Sequence, residues 1–347
     1  MQGTATSPPS TVRAGMILRL VTSDRIVSTL HYPRRSTWSG RVDTLDRSSM
    51  SRARVIRRLV AESRACGAVV LDGHATEDLL AAIAIARRRR PPWVIVTEST
   101  WALGDRWLDR TATRLALRAL NGPHVRYCVG STAERERFPH TWGVRPEQVV
   151  FLPWTHYLSD AELALPDRDG AGIFSGGDSF RDYDVLLEAC RTLAVPVSIA
   201  ARRLSEEQRA ALPPNVTAQT VSHERFMELM HAARVVAVPL IPREDRSAGQ
   251  ATYLNAMAMG KVAVVTEVLG VRDYVDHAQT GLIVPPHHPA AMRSALEWAL
   301  DPANDDEVAR MRSAAKTVAR ERFGPENYLA GILEVADALL AQGPPRG

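Results

Sequence analysis

Lysine is almost missing from this chain of 347 residues: of 43 basic residues only Lys261 and Lys316 are lysine, and the rest are arginine. The arginines are interspersed with 39 acids, the formal net charge is only +4, and no nucleic-acid-binding motif accompanies them, which argues against a nucleic-acid partner. Cysteine is scarce as well. Cys66, Cys128 and Cys190 are far apart and form no C-x-x-C pair, which argues against a disulfide framework or a zinc site and for a reducing compartment, the cytoplasm. No apolar run reaches the roughly 18 residues that a membrane-spanning helix needs. The opening stretch MQGTATSPPSTVRAG lacks the apolar core of a signal peptide and reads as disordered.

What is present is 45% hydrophobic and 24% charged residues, the balance of a soluble globular protein, in a chain long enough for two domains. Residues 16–22 read as a first strand, and a polar, arginine-rich stretch follows in which Arg34 and Arg35 either meet an anion or stay solvated. Helical patterns at 53–65, 76–89 and 107–120 then alternate with strand runs at 68–71, 93–97 and 125–129, and Ser131 opens another helix before a strand at 149–153. Strands separated by helices make a parallel α/β sheet covered on both faces, with ligands beyond the C-terminal strand ends. That rule selects Asp72-Gly73-His74 and Thr97-Glu98-Ser99-Thr100. Asp72 reads equally as a helix cap, and Glu98 as one half of a local ion pair.

From residue 154 to 172 periodicity is lost and Asp, Pro and Gly gather, which marks a linker. Strands at 173–175, 197–201, 216–220 and 233–240 follow, with an amphipathic helix at 224–233. The sequence then reads REDRSAGQATYLNAMAMGKVAVVTEVLGVRDYVDHAQTGLIVP from Arg243 to Pro285. A polar loop, Ser247-Ala248-Gly249-Gln250, runs into a helix that stops at Gly260; a buried strand follows, then Gly270, a second helix and a short strand at 282–284. N–H groups at a helix start lack internal partners and carry the positive end of the dipole, so a small-residue loop there suits a phosphate.

The order NAMAMGKVAVVTEVLGVRDYV…TGLIVPP resembles the C-terminal half of retaining, family 4 nucleotide-sugar glycosyltransferases of the GT-B fold, which read E-A-M-A-x-G-x-P-V-V and later T-G-x-L-V-x-P. The resemblance covers roughly residues 125 to 340. It implies two Rossmann-like doubly wound domains facing a cleft: an acceptor-binding domain at 16–155, a linker at 156–172, a nucleotide-sugar domain at 173–322, and a C-terminal helix within 323–347 that packs back across both. It also implies a site. Relatives read G-R-x-x-x-x-K-G-x-x-x-L-L-x-A where this chain has GGDSFRDYDVLLEA, so Arg181 stands at the diphosphate-binding Lys, while Gly176 or Gly177 takes the place of the Arg.

Carried over residue by residue, the resemblance puts the donor diphosphate on Arg181, Gly177, Ala248, Gly249 and Gln250, and the ribose and base on Asn255, Arg202, Val221 and Ser222. Relatives carry a pair of Glu residues where this chain has Ser247 and Asn255; Glu244 or Asp245 then substitutes for the first at the donor sugar, or the sugar differs from an ordinary hexose. Glu98 and His74 stand near the transferred sugar, and with Arg181 complete the catalytic set. The implied activity is metal-independent, retaining transfer from a nucleoside-diphosphate sugar, with no further cofactor, to an acceptor hydroxyl or amine on a small metabolite or a glycan intermediate. Asp182 and Asp184 have D-x-D spacing but fall in the Arg181 helix, where solvent is the expected surrounding. A sugar-nucleotide-binding subunit without turnover and a sugar-nucleotide epimerase are the competing readings.

Overall fold

A computed structural model describes residues 25–28, 30, 41–101, 107–168 and 170–345. The disordered stretch expected at 1–15, the strand expected at 16–22, and Arg34 and Arg35 lie outside the described residues.

Short aliphatic runs form two wholly parallel six-stranded sheets. The first holds β1 (Ile26–Ser28), β2 (Val42–Thr44), β3 (Ala68–Asp72), β4 (Trp93–Thr97), β5 (Val125–Val129) and β6 (Val149–Phe151), in the order β2-β1-β3-β4-β5-β6. Helices α1 (Arg52–Glu62), α2 (Thr76–Ala86), α3 (Trp107–Leu120) and α4 (Thr132–Trp142) connect its strands. After α5 (Asp160–Leu163) comes the second sheet: β7 (Ile173–Gly176), β8 (Val197–Ala200), β9 (Val216–Gln219), β10 (Val235–Val238), β11 (Val262–Thr266) and β12 (Leu282–Val284), ordered β12-β11-β10-β7-β8-β9. Its helices are α6 (Tyr183–Cys190), α7 (Glu206–Ala210), α8 (His223–Ala232), α9 (Gln250–Ala258), α10 (Pro289–Leu300) and α11 (Asp305–Arg322), and the chain closes with α12 (Pro325–Leu340). No described helix is long and apolar enough to cross a membrane.

Side chains alternate across a strand, so each sheet must be covered twice. Val69, Leu71, Val94 and Val96 face α1, α2 and α4, packing with Leu59, Ile85 and Phe138. Ala68, Val70 and Ile95 point the other way and meet Tyr328, Leu329, Ile332 and Leu333 of α12. The last helix of the chain therefore completes the core of the first sheet. The main chain crosses between the sheets twice, and the crossings touch: the Phe323 carbonyl accepts from His156 N and Thr155 Oγ1, both at 3.0 Å.

Three expectations change. The polar stretch before α1 contains β1, whose IVS is paired between β2 and β3. The stretch read as a linker without periodicity holds α5, opened by a capping box in which Ser159 Oγ accepts from Glu162 N and Glu162 Oε2 accepts from Ser159 N. The helix expected after Gly270 is only a single 3-10 turn, Val271–Asp273. Asp276 and Thr280 close a tight turn directly after it, with Thr280 N donating to Asp276 O and Thr280 Oγ1 accepting from Asp276 N, so too little chain remains for a helix before β12.

Candidate functional site

The two stretches singled out in the second half of the sequence meet in space. Gly249 stands at the N-cap of α9 with φ 90°, a left-handed conformation that glycine adopts without strain. The N–H groups of Ala248, Gly249 and Gln250 have no protein acceptor among the described residues. Arg181 leaves the turn after β7 and spans toward this helix start. Its Nε donates to Gly176 O (3.0 Å), its Nη1 to Ser179 O (2.7 Å) and its Nη2 to Thr252 Oγ1 in the first turn of α9 (2.8 Å). Gly177, at φ 105°, leaves the space the guanidinium occupies: a Cβ there would lie 2.7 Å from Nη2.

No acid is ion-paired with Arg181 among the described residues. Burial lowers its pKa, yet an arginine starts so high that it stays a cation. Asp178 acts on this charge only from beyond ion-pair distance, and a cation with no ion pair of its own, beside unpaired N–H groups at a helix start, is a site for an anion.

Beside it opens a cleft of about 530 Å³, a size suited to a small molecule. Gly177 and Thr252, which flank Arg181, line it together with Arg202, Val221, Ser222 and Asn255. All four residues assigned to ribose and base thus border one space, though several are already engaged. Arg202 is tied to Asp178, its N and Nε each 2.7 Å from the carboxylate. Burial works against the Asp178 charge, but the Arg202 hydrogen bonds prevail and hold its pKa below the usual value. Ser222 caps α8 by accepting from Arg225 N (3.2 Å). Asn255 Oδ1 accepts from Tyr157 N (2.8 Å), so its side chain fixes the linker as well as bordering the cleft.

The expected donor-sugar residues are placed elsewhere. Asp245 turns back onto Arg243 (2.9 Å), Glu244 is exposed, and Ser247 is buried behind the turn, its hydroxyl accepting from the Gln250 amide. None of the three lines the cleft, and neither do Arg181, Ala248, Gly249, Gln250, Glu98 and His74, which stand beyond its lining. The physical reason is the loop's path: it runs against α4 of the first domain, where Arg137 Nη1 donates to Glu244 O (3.3 Å). Asp182 also departs from expectation. It caps α6 and pairs with His287 (2.9 Å) instead of facing solvent.

From the first domain, Glu98 and His74 come together. Glu98 Oε2 lies 3.1 Å from His74 Nδ1, and His74 Nε2 lies 2.8 Å from Thr100 Oγ1. Glu98 has φ 51°, a strained value for a side-chain-bearing residue and a recurrent feature of functional sites. Asp72 is no side-chain cap for α2; it accepts from His74 N (2.8 Å) and from Arg47 (3.3 Å). Asp72, His74 and Glu98 each offer a ligand atom within 4.8 Å of the others, the one group among the described residues able to hold a metal. Tyr157 connects the two walls: it lines the cleft, and its hydroxyl lies 3.4 Å from Glu98 Oε1.

Sequence reasoning missed Thr252, Tyr157, Asp178 and Glu134. The spacing of Ser131 and Glu134 carried a signal for the last, since S-x-x-E opens a helix. Ser131 Oγ accepts from Glu134 N (3.0 Å), and Glu134 Oε2 accepts from Ser131 Oγ (3.1 Å).

A family model described as "Glycosyl transferases group 1" matches residues 179–302. No curated protein matches the chain in sequence. Among similar solved structures, HepE from Anabaena in complex with UDP and glucose has 15% identity and a TM-score of 0.65, with 90% of this chain and 99% of that chain covered. Sucrose-phosphate synthase from Thermosynechococcus elongatus has 17% identity and a TM-score of 0.61, covering 87% of this chain and 84% of that chain. The lipopolysaccharide outer core galactosyltransferase WaaB has 11% identity and a TM-score of 0.60, covering 90% and 99%. The likeness is one of fold: two parallel sheets flanked by helices, the GT-B architecture.

Proposed function

We propose that this chain transfers a sugar from a nucleoside-diphosphate sugar to an acceptor hydroxyl or amine, with retention at the anomeric carbon and without a metal at the leaving group. The observation that carries this reading is the contact of Arg181 Nη2 with Thr252 Oγ1, which sets an unpaired cation on the start of α9 at the edge of the cleft. As the bond between anomeric carbon and diphosphate oxygen breaks, its electron pair leaves with the diphosphate. Arg181 and the N–H groups of Ala248, Gly249 and Gln250 stabilise that growing charge in a place already organised for it. Glu98 and His74 stand near the transferred sugar from the first domain. The match to the group 1 family over 179–302 and the fold shared with UDP-bound HepE support the same reading.

The direct test combines binding and turnover. UDP, GDP, ADP or TDP raises the melting temperature of the wild-type protein, since a ligand that binds only the folded form stabilises it. Arg181→Ala lowers sugar transfer by about a hundredfold or more, the loss typical of removing one charge-stabilising donor. An unchanged rate in Arg181→Ala defeats the assignment. A second reading, a sugar-nucleotide-binding subunit without turnover, draws support from Ser247 and Asn255 standing where the resembling family carries its pair of Glu residues. It predicts nucleotide binding with no donor consumed in the presence of acceptors.

A further inference from the structure

Glu134 is a carboxylate nearly sealed from solvent, 2% exposed, at the first turn of α4 in the first domain. Every partner it meets is a donor. Oε2 accepts from Gly130 N (3.1 Å) and Ser131 Oγ (3.1 Å), both in its own domain. Oε1 accepts from Ser247 N at 2.7 Å, the shortest of the three and the one that crosses to the second domain. Ser247 is the residue immediately before the Ala248-Gly249-Gln250 turn, and its hydroxyl accepts from the Gln250 side chain. One carboxylate therefore grips the base of the turn that opens α9, the helix start to which Arg181 is bonded through Thr252.

The neighbourhood makes this contact a specific one. Thr132 N and Oγ1 donate to Asp273 (2.9 and 2.8 Å), and Tyr274 donates to Gly130 O while accepting from Trp154 N (2.9 Å), so α4 is seated against the second domain at several points. Of these contacts, only the Glu134 bond reaches the turn itself. Arg246, whose charge acts on Glu134, adds attraction from the same loop. Burying a carboxylate is costly unless hydrogen bonds compensate, and an ordinary helix cap does not require that cost.

We infer that Glu134 is a positioning residue: by holding Ser247 N–H from the opposite domain, it sets the 248–250 N–H groups in the orientation that receives a diphosphate, so that the anion site is complete only when the two domains are together. This rests on the donor-binding reading above. It assigns to the first domain a share in donor binding that its own cleft-facing residues do not reveal.

The test compares UDP with uridine, which lacks the phosphates, by titration calorimetry, alongside amide hydrogen exchange of the ligand-free protein. In Glu134→Ala the ratio of uridine Kd to UDP Kd falls about tenfold or more, uridine binding stays as in wild type, and the amides of Thr252 and Tyr253, which donate to the Gly249 carbonyl of the turn, exchange at least tenfold faster while those of β10 and β11 do not. Asp273→Ala, which loosens the same seam without touching the turn, leaves the ratio unchanged. Should Glu134→Ala not fold, Glu134→Gln keeps the volume; its single amide oxygen cannot serve Ser247 and Gly130 together, so the same changes appear in smaller degree. Unchanged exchange at Thr252 and Tyr253, an unchanged ratio, or an equal fall in Asp273→Ala overturns the inference. If wild-type protein binds no nucleoside diphosphate, the donor reading fails on its own, and the exchange measurement still decides whether Glu134 holds the turn.

Discussion

Glu98 illustrates how one residue reports on function through its backbone. Its φ of 51° costs free energy that a loop with no task would shed. Glu98→Gly, at ease in that conformation, leaves the protein at least as stable by thermal unfolding and lowers transfer at least tenfold; a fall in both measures would mean that the side chain serves only the fold. Glu134 makes a second prediction at this scale. Burial raises its pKa above the usual carboxyl value, and the hydrogen bonds from Ser247 and Ser131 only partly offset this. A group whose pKa is raised by folding contributes its full stability below the unfolded-state pKa and loses it as pH rises through the folded-state value. Glu134→Gln lacks this titration. The difference in Tm, wild type minus variant, therefore falls as pH rises above about 4, the unfolded-state value, and a difference that grows with pH contradicts the assignment.

Elements were legible where local pattern and tertiary role agree. β3, β4 and β11 are continuous apolar runs because each is buried on both faces, and a buried parallel strand looks like that in sequence. β1 did not stand out, since three residues in a polar stretch become a strand only by pairing on both sides. α5 was announced by its capping box but passed for linker among Asp, Pro and Gly. In the site, Gly249 could be picked out because a glycine in a turn before a helix has a local cause, whereas Arg181 and Gly177 were reached only through the resemblance. The Glu134 contact with Ser247 spans 113 positions and exists only once two sheets have formed, so no window of sequence contains it. α12 offers the test at this scale. Leu329 is fully buried against the first sheet, and Leu329→Ala costs about 2–5 kcal/mol, read as a lowered denaturant midpoint. A loss within the ~0.5 kcal/mol range of surface changes would show that the helix is not part of that core.

At the scale of the whole molecule, sequence order and spatial order disagree. The first domain is finished by the last helix, and both passages of main chain between the domains meet at the Phe323 carbonyl. Cutting the gene at the linker would therefore not yield two self-sufficient proteins. The leading fragment, residues 1–158, would expose the sheet face that Tyr328, Leu329 and Ile332 cover, and such a large apolar patch invites self-association. A synthetic peptide of residues 324–345 added in trans is expected to rescue it, restoring a monomeric sedimentation profile and cooperative melting. The chain is sewn shut by its own tail, and whatever is done to that tail will be felt first in the half of the protein farthest from it in sequence.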